Sequence, residues 1–427
     1  MLDIAFIKEN PDIVRAAIKN KNSEEVDIDE LLKLYEEKKI LQQEIDDLNR
    51  EKNAAATARD VARGKQIKTE FQAVSGKHAE VEKAFAQLML KIPNIPSPDT
   101  PIGKDESANK VIRDVGAQPE FSFTPKPHWE IGEKLGIIDT EKAGEVSGAR
   151  FNYLKGDAAL LQFALFNLAL QTLTNFETLK SIAERVGAKV PITPFIPVVP
   201  PLMMRTAVMN RMARLHPLDE RYVFEKDDLV LIGSAEHTLG PLHMDQKLEE
   251  GSVPLRYVAF TPAFRREAGS YGKDTRGIIR QHQFDKIEME TFVRPEDGYA
   301  EQDFIVALQE HVLQLLELPY QVVAICTGDM GAPDHRQFDM ETWMPGQGVY
   351  KETHTSDYMG GYQARRLNTR IKREDGKTEA VHMNDATLFA MGRTIAAILE
   401  NYQQEDGTVR VPKVLQTYMG KEVIDGT

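Results

Sequence analysis

The chain has 427 residues, 41% hydrophobic and 28% charged, an ordinary globular balance with room for two or three domains. Its formal net charge of −13 argues against non-specific nucleic-acid binding by the whole surface, while leaving room for a local basic patch. The one cysteine, Cys326, excludes a disulfide framework and a cysteine-built zinc site, and no run reaches the ~18 apolar residues of a membrane span.

The opening MLDIAFIKENPD has no basic stretch leading into an apolar one, so no secretory signal is expected and the cytoplasm is the expected location. Next, Leu31, Leu34, Lys38, Leu41, Ile45 and Leu48 recur at spacings of three and four. Past Gly64 come Ile67, Phe71, Val74, His78, Val81, Phe85 and Leu88, again alternating four and three, the a/d seam of a coiled coil. Two such series around the break RDVARGK predict an antiparallel helical hairpin over about 27–92, started by Asp27 or Asp29 and ended by the linker KIPNIPSPDTPIG. Periodicity alone fits a structural or dimerisation hairpin equally well. Charge tilts the balance: Arg50, Lys52, Arg59, Arg63, Lys65 and Lys68 face only Glu51 and Asp60 over the same stretch. A basic tip on an acidic protein suits phosphate neutralisation, so an arm that touches nucleic acid is expected. The first domain is expected at 1–110 and the second at 111–427.

From residue 111 helical patterns, such as DAALLQFALFNLALQTLTNFETLKSIAERV and GYAEQDFIVALQEHVLQLLELP, alternate with short β-rich runs. Those runs are PFIPVV, DLVLIG, LRYVAFTPAF, IIRQHQFDKIEMETFV, YQVVAICTG and HRQFDMETWM. Alternating apolar and polar residues predict an α+β domain with a mainly antiparallel sheet. LRYVAFTPAFRREAG reads as a strand entering a loop, and GIIRQHQFDKIEME as the strand leaving it. Residues i and i+2 share a strand face, so Arg265 and Glu267 project together with Arg266 opposite, while Arg280, Phe284 and Glu288 line the return. Guanidinium, carboxylate and aromatic groups on one face suit a ligand carrying phosphate, a charged amine and a flat ring. An exposed strand pair laced with ion pairs is the plainer alternative.

FRREAGSYGKDTRGIIRQHQFDKIE resembles the second signature motif of class II aminoacyl-tRNA synthetases, and its DTRG loop resembles the seryl-tRNA synthetase family in particular. VHMNDATLFAMGRTIAAILENYQQEDGTVRVP resembles the third motif, and YKETHTSDYMGGYQARR the stretch that ends in the family's QARR. MLDIAFIKENPDIVRAAI and the basic-tipped arm resemble the family's N-terminal part, so the likeness spans essentially the whole chain.

The resemblance implies a class II antiparallel sheet flanked by helices and a serine–tRNA ligase that uses ATP and Mg²⁺ and acts as a homodimer on L-serine and tRNA(Ser). It leaves open whether selenocysteine tRNA is also charged. Arg265 would hold the α-phosphate and the substrate carboxylate, Glu267 the adenine amino group, and Phe284 and Arg393 the two adenine faces. Arg266, Arg280, Gln281, Glu352, Thr353, His354 and Thr355 complete the ATP set, with Glu352 and Thr355 as Mg²⁺ contacts. Serine would fall to Ser234, Ala235, Glu236, Arg265, Glu288 and Thr387. Arg50, Lys52, Arg59, Arg63, Lys65 and Lys68 on the arm, with Lys273 and Arg276 in the loop Gly269–Gly277, would meet the tRNA.

The chain departs from the family pattern in places. SAE stands for the usual TAE, THTS for Ile-Ser-Ser-Cys, Asp385 for an asparagine, and the arm is short. His282 reads as a hydrogen-bonded strand histidine rather than a base. His335, His354 and His382 lack metal-ligand spacing, so no zinc is expected. Met203, Met204, Met209 and Met212 read as core or dimer contacts, and Cys326 as a buried small hydrophobe. Two rival functions are an enzyme loading amino acids onto a carrier protein, which has no use for such an arm, and a non-catalytic RNA-binding relative. The second would be free to lose Arg265, Glu267, Glu288, Glu352 and Arg393, all of which are present.

Overall fold

The computed structural model describes residues 1–268 and 276–426. Lys273 and most of the glycine-rich loop therefore lie outside the described residues. The chain divides into two compact units, Met1–Ile95 and Pro96–Thr427.

The first unit is helical: α1 (Ile4–Glu9), α2 (Pro11–Asn20), α3 (Ile28–Ala58) and α4 (Val61–Lys91). The two arm helices, 31 residues each, are about 46 Å long. Asp27 caps α3 by accepting from the Glu30 N–H, whereas Asp29 pairs with Arg15, 2.7 Å away. Every seam position is at least half-buried, with Leu31, Leu41, Ile67 and Val81 fully so. Lys38, the polar member of the seam, lies 2.8 Å from Glu82 and 5.4 Å from the centre of the Phe85 ring. The break between the helices is shorter than the RDVARGK expected. Arg59 turns left-handed (φ 55°) and Asp60 at once caps the next helix by accepting from the Arg63 N–H. Gly64 consequently sits inside α4, where a side chain would meet nothing within 4 Å.

The second unit is built on an eight-stranded sheet. Its strands are β1 (Lys110–Val115), β2 (Ile196–Val198), β3 (Leu255–Phe264), β4 (Gln283–Val293), β5 (Tyr320–Ala324), β6 (Arg336–Met344), β7 (Val349–Gly360) and β8 (His382–Ala390). Their spatial order is β1-β5-β6-β7-β8-β4-β3-β2, antiparallel throughout except for the parallel β2–β3 edge. Helices α5 (Asp157–Thr174), α6 (Gly298–Leu315) and α7 (Met391–Asn401) contribute Leu161, Leu165, Phe304, Leu308, Ile395 and Leu399 to the main core. There they pack with Ile287 and Met289 of β4, Met340 of β6 and Leu388 of β8. The period of two along β4 then sends Phe284, Lys286, Glu288 and Glu290 to the other face.

Buried polar links fix α6 to this sheet. Arg256 of β3 forms a two-pronged pair with Glu301 at 2.7 Å for each prong, both side chains buried. Gln309 donates to the carbonyls of Thr355 and Thr387, at 2.8 and 2.7 Å, and so ties β7 and β8 to one helix. The return strand starts at Gln283, five residues later than the apolar run suggests. The Ile278 N–H is taken by His128 Nε2 and the His282 N–H by the Arg150 carbonyl, so neither joins the ladder. No helix among the described residues is long and apolar enough to cross a membrane.

Candidate active site

A cavity of about 270 Å³ opens on the polar face of the sheet, lined by Arg265, Glu267, Arg280, Phe284, Glu352 and Arg393 at one end and by Lys286, Thr387, Asp357 and Arg214 at the other. Arg265 follows the last residue of β3, and its N–H donates to the His282 carbonyl. Its Nε donates to the Gly233 carbonyl at 3.1 Å, and its guanidinium lies 5.3 Å from the centre of the Phe284 ring. Glu267 adopts φ 52°, a left-handed turn that brings its carboxylate 2.6 Å from Arg280 Nη1. Gln281, buried, donates to the Gly277 carbonyl at 2.8 Å and lines the same cavity.

Arg266 points elsewhere, over the Tyr222 ring at 5.6 Å. His282 places Nδ1 3.1 Å from the Arg265 carbonyl, hydrogen-bonded as expected but just ahead of β4 rather than within a strand.

The opposite wall depends on a β-bulge. Met340 pairs with His354 and Glu341 with Glu352, so Thr353 is the extra residue on β7. One extra residue reverses the alternation, and Glu352 and Thr355 both line the cavity although three positions apart. His354 is turned inward, 1% exposed against Phe389, and burial drives its imidazole pKa down to about 3. It does not line the cavity and is held neutral, so it is set apart from the expected ATP set. Arg393, in the first turn of α7, reaches back to Glu352, 2.7 Å from Oε1 and 2.9 Å from the carbonyl oxygen. Arg393, Arg265 and Lys286 hold the half-exposed Glu352 carboxyl below the ordinary range.

At the far end Glu288 and Thr387 face each other across β4 and β8, joined by a 3.2 Å hydrogen bond from the threonine hydroxyl. A second bulge, at Leu388, sets that register. Lys286 Nζ lies 3.3 Å from both Glu288 and the Ser234 hydroxyl. Ala235 is buried in an apolar cluster with Met212 and Leu239, so it presents only backbone here. Single oxygens of Glu236, Glu288 and Asp385 lie within 4.8 Å of one another.

Asp385 is less disruptive than its charge suggests. Cross-strand pairing sets Glu290, Asp385 and Asp357 side by side on β4, β8 and β7. Burial first, then repulsion from Asp385 on Glu290, from Glu236 on Asp385 and from Asp334 on Asp357, pushes all three carboxyls well above the usual range. That shift favours the protonated form of Asp385, and a protonated carboxyl has nearly the shape of the asparagine amide the family pattern calls for.

Lys286 and Arg214 are the two cations of the cavity wall that the sequence reading did not name. Lys286 sits between Phe284 and Glu288 on the same alternating face, so the period of two could have found it. Arg214 has no such signal. On the arm, Arg50 pairs with Asp47 and Arg63 with Glu51, whereas Lys52, Arg59, Lys65 and Lys68 are exposed. Arg276 borders a separate cavity with Trp129 and Phe151.

Residues 1–96 match the seryl-tRNA synthetase N-terminal domain, and residues 222–402 the class II tRNA synthetase core domain for G, H, P, S and T. A serine–tRNA ligase of Thermodesulfovibrio yellowstonii is 39% identical, with 99% of this chain and 100% of that one covered. The crystal structure of seryl-tRNA synthetase from Pyrococcus horikoshii complexed with ATP superposes with a TM-score of 0.87 at 34% identity, covering both chains completely. That of the cytoplasmic serine–tRNA ligase of Naegleria fowleri with AMP gives 0.84 at 28%, covering 99% of this chain and 98% of that one. With an arm of the right kind, a class II sheet and relatives matched end to end, the chain belongs to the seryl-tRNA synthetase family.

Proposed function

We propose that the chain activates L-serine with ATP and transfers the seryl group to the 3′ end of tRNA(Ser). The observation that carries this reading is the single cavity joining Arg265, Phe284, Glu352 and Arg393 to Lys286 and Thr387, with Glu288 hydrogen-bonded to Thr387 across the strand pair. The relatives crystallised with ATP and AMP support nucleotide binding by this fold.

In the first step a serine carboxylate oxygen attacks the α-phosphorus and the bond to pyrophosphate breaks. Arg265 and Arg393 are charged groups fixed at the place where negative charge builds, so the chain works by positioning and electrostatics. Glu288 accepts from the substrate amine and hydroxyl, helped by Thr387. Alanine would leave those buried polar groups unpaired and is rejected on that account. In the second step a terminal ribose hydroxyl attacks the acyl carbon and AMP leaves.

The Glu352 carboxylate and Thr355 hydroxyl, turned to one side by the Thr353 bulge, form an oxygen donor set that fits a hard divalent cation. Mg²⁺ held there would neutralise phosphate charge. The basic arm residues and Arg276 are read as tRNA contacts, and the exposed Ile196, Val199 and Met203 as the surface that joins two copies.

Exchange of labelled pyrophosphate into ATP tests the reading, with serine, threonine, alanine and glycine compared. Serine alone should support rapid exchange. Absence of serine-dependent exchange would sink it.

A further inference from the structure

We propose that Arg214 is a positioning residue of the amino-acid subsite, holding the Glu236 carboxylate ready for the ammonium group of serine; this rests on the serine reading given above. Arg214 lies just beyond the helix Thr206–Arg211, with its N–H bonded to the Met209 carbonyl and its own carbonyl accepting from Arg221 Nε. Its side chain is 15% exposed and reaches carboxylates from four separate segments. Nε is 3.1 Å from Glu236, while Nη2 is 3.4 Å from Asp385, 3.5 Å from Asp334 and 3.9 Å from Asp357.

A single guanidinium among four buried acids is more than mortar, because of where two of them point. Glu236, Glu288 and Asp385 bring their oxygens within 4.8 Å of one another beside the cavity. Lys286 stands against Glu288, and Arg214 is the cation that stands against Glu236. Burial opposes ionisation of Glu236, yet Arg214, then His237 and Lys286, reverse this and leave its carboxyl well below the ordinary range. Without Arg214 the buried Glu236 carboxylate loses the guanidinium 3.1 Å away that offsets its burial. It would take up a proton or turn away, and in either case accept an ammonium group poorly. Arg214 itself acts through Glu236, while Asp334, Asp357 and Asp385 keep its fork in place.

The test uses the full-length protein with the variants Arg214→Met, Arg214→Lys, Glu236→Gln and the double Arg214→Met/Glu236→Gln. Pyrophosphate exchange gives KM for serine and for ATP separately, and the serine-induced rise in melting temperature gives binding without turnover. Arg214→Met should raise the serine KM about tenfold or more while the ATP KM stays within about twofold. Arg214→Lys should recover part of that loss, since charge returns without the fork. The double variant should bind serine no worse than Glu236→Gln alone, the mark of one residue working through another. Equal losses for serine and ATP, a lower kcat with unchanged serine KM, or additive effects in the double variant would overturn the proposal. If the methionine variant does not fold, the same cycle with Arg214→Lys decides, and additivity there overturns it as well. A wild-type protein without serine-dependent exchange would instead bring down the underlying reading, and this proposal with it.

Discussion

Arg393 grips Glu352 twice, at 2.7 Å on the carboxylate and 2.9 Å on the main-chain oxygen, so one guanidinium fixes both the charge and the path of β7 where the bulge occurs. Glu352→Gln keeps the main-chain contact and the side-chain shape but removes the charge. The melting temperature should hardly move. The ATP KM should rise about tenfold or more, and half-maximal exchange should require several times more Mg²⁺. A Mg²⁺ titration that superposes on that of the wild type would take Glu352 out of the metal's reach.

Gly277 is the point where the loop returns to the site. It sits at φ 72°, and a Cβ there would lie 2.0 Å from His128 Nε2, the atom that accepts the Ile278 N–H. His128 cannot yield, because its ring and its N–H are both held by buried Glu400, at 2.8 and 3.0 Å. Gly277→Ala should cost about 2 kcal/mol or more of stability from strain and the lost bond. It should also displace Ile278–Arg280 from the cavity wall and lower exchange activity. Urea unfolding and exchange kinetics read the two effects separately, and a variant of wild-type stability would refute the clash.

Legibility in the sequence followed the range over which each feature is encoded. The hairpin was legible because thirteen positions repeat locally, and only its break was misjudged, since a left-handed Arg59 followed by a capping Asp60 needs fewer residues than the breaker-rich string suggests. Strands β7 and β8 escaped the β-run reading because site residues such as Glu352, Asp357 and Asp385 interrupt their apolar alternation. The face shared by Arg265 and Glu267 was expected from strand alternation, yet β3 ends at Phe264 and a turn brings the two together instead. The bulge at Thr353, which turns Thr355 toward the cavity and His354 into the core, depends on pairing with β6 and is invisible along one strand. Arg214 is the extreme case, since its four partners come from four segments and no spacing connects them.

His382 at the start of β8 accepts from the Tyr358 hydroxyl through Nδ1 at 2.6 Å, and burial, with Arg365 and His335 nearby, lowers its pKa to about 4. The folded protein therefore keeps this imidazole neutral, while the unfolded chain protonates it near the ordinary 6.5. Its contribution is fully present above pH 6.5 and is lost as the pH falls through about 4, to the extent of about 3 kcal/mol. In His382→Asn the amide oxygen replaces Nδ1 as acceptor and nothing titrates. The stability gap between wild type and variant, from urea unfolding at pH 7, 5.5 and 4, should shift by that amount in the variant's favour. A constant gap would mean that His382 charges in the folded state.

The arm offers a separation of functions. Lys52, Arg59, Lys65 and Lys68 are exposed near its tip, whereas Arg50 and Arg63 are engaged by Asp47 and Glu51. Among the described residues these four show no such partner, so each exchanges only counterions for a phosphate, and they should carry most of the tRNA affinity at this end. Replacing the four by alanine should leave serine-dependent pyrophosphate exchange within about twofold and stability nearly unchanged, as for surface changes remote from a core. Aminoacylation should show a tRNA KM about tenfold higher or more, and the dependence of log KM on log salt should flatten by as much as about three if all four meet phosphates. Replacing Arg50 and Arg63 should do less, because each must first leave its carboxylate. An unchanged tRNA KM and salt slope in the quadruple variant would mean that the arm serves packing rather than RNA, whatever its charge suggests.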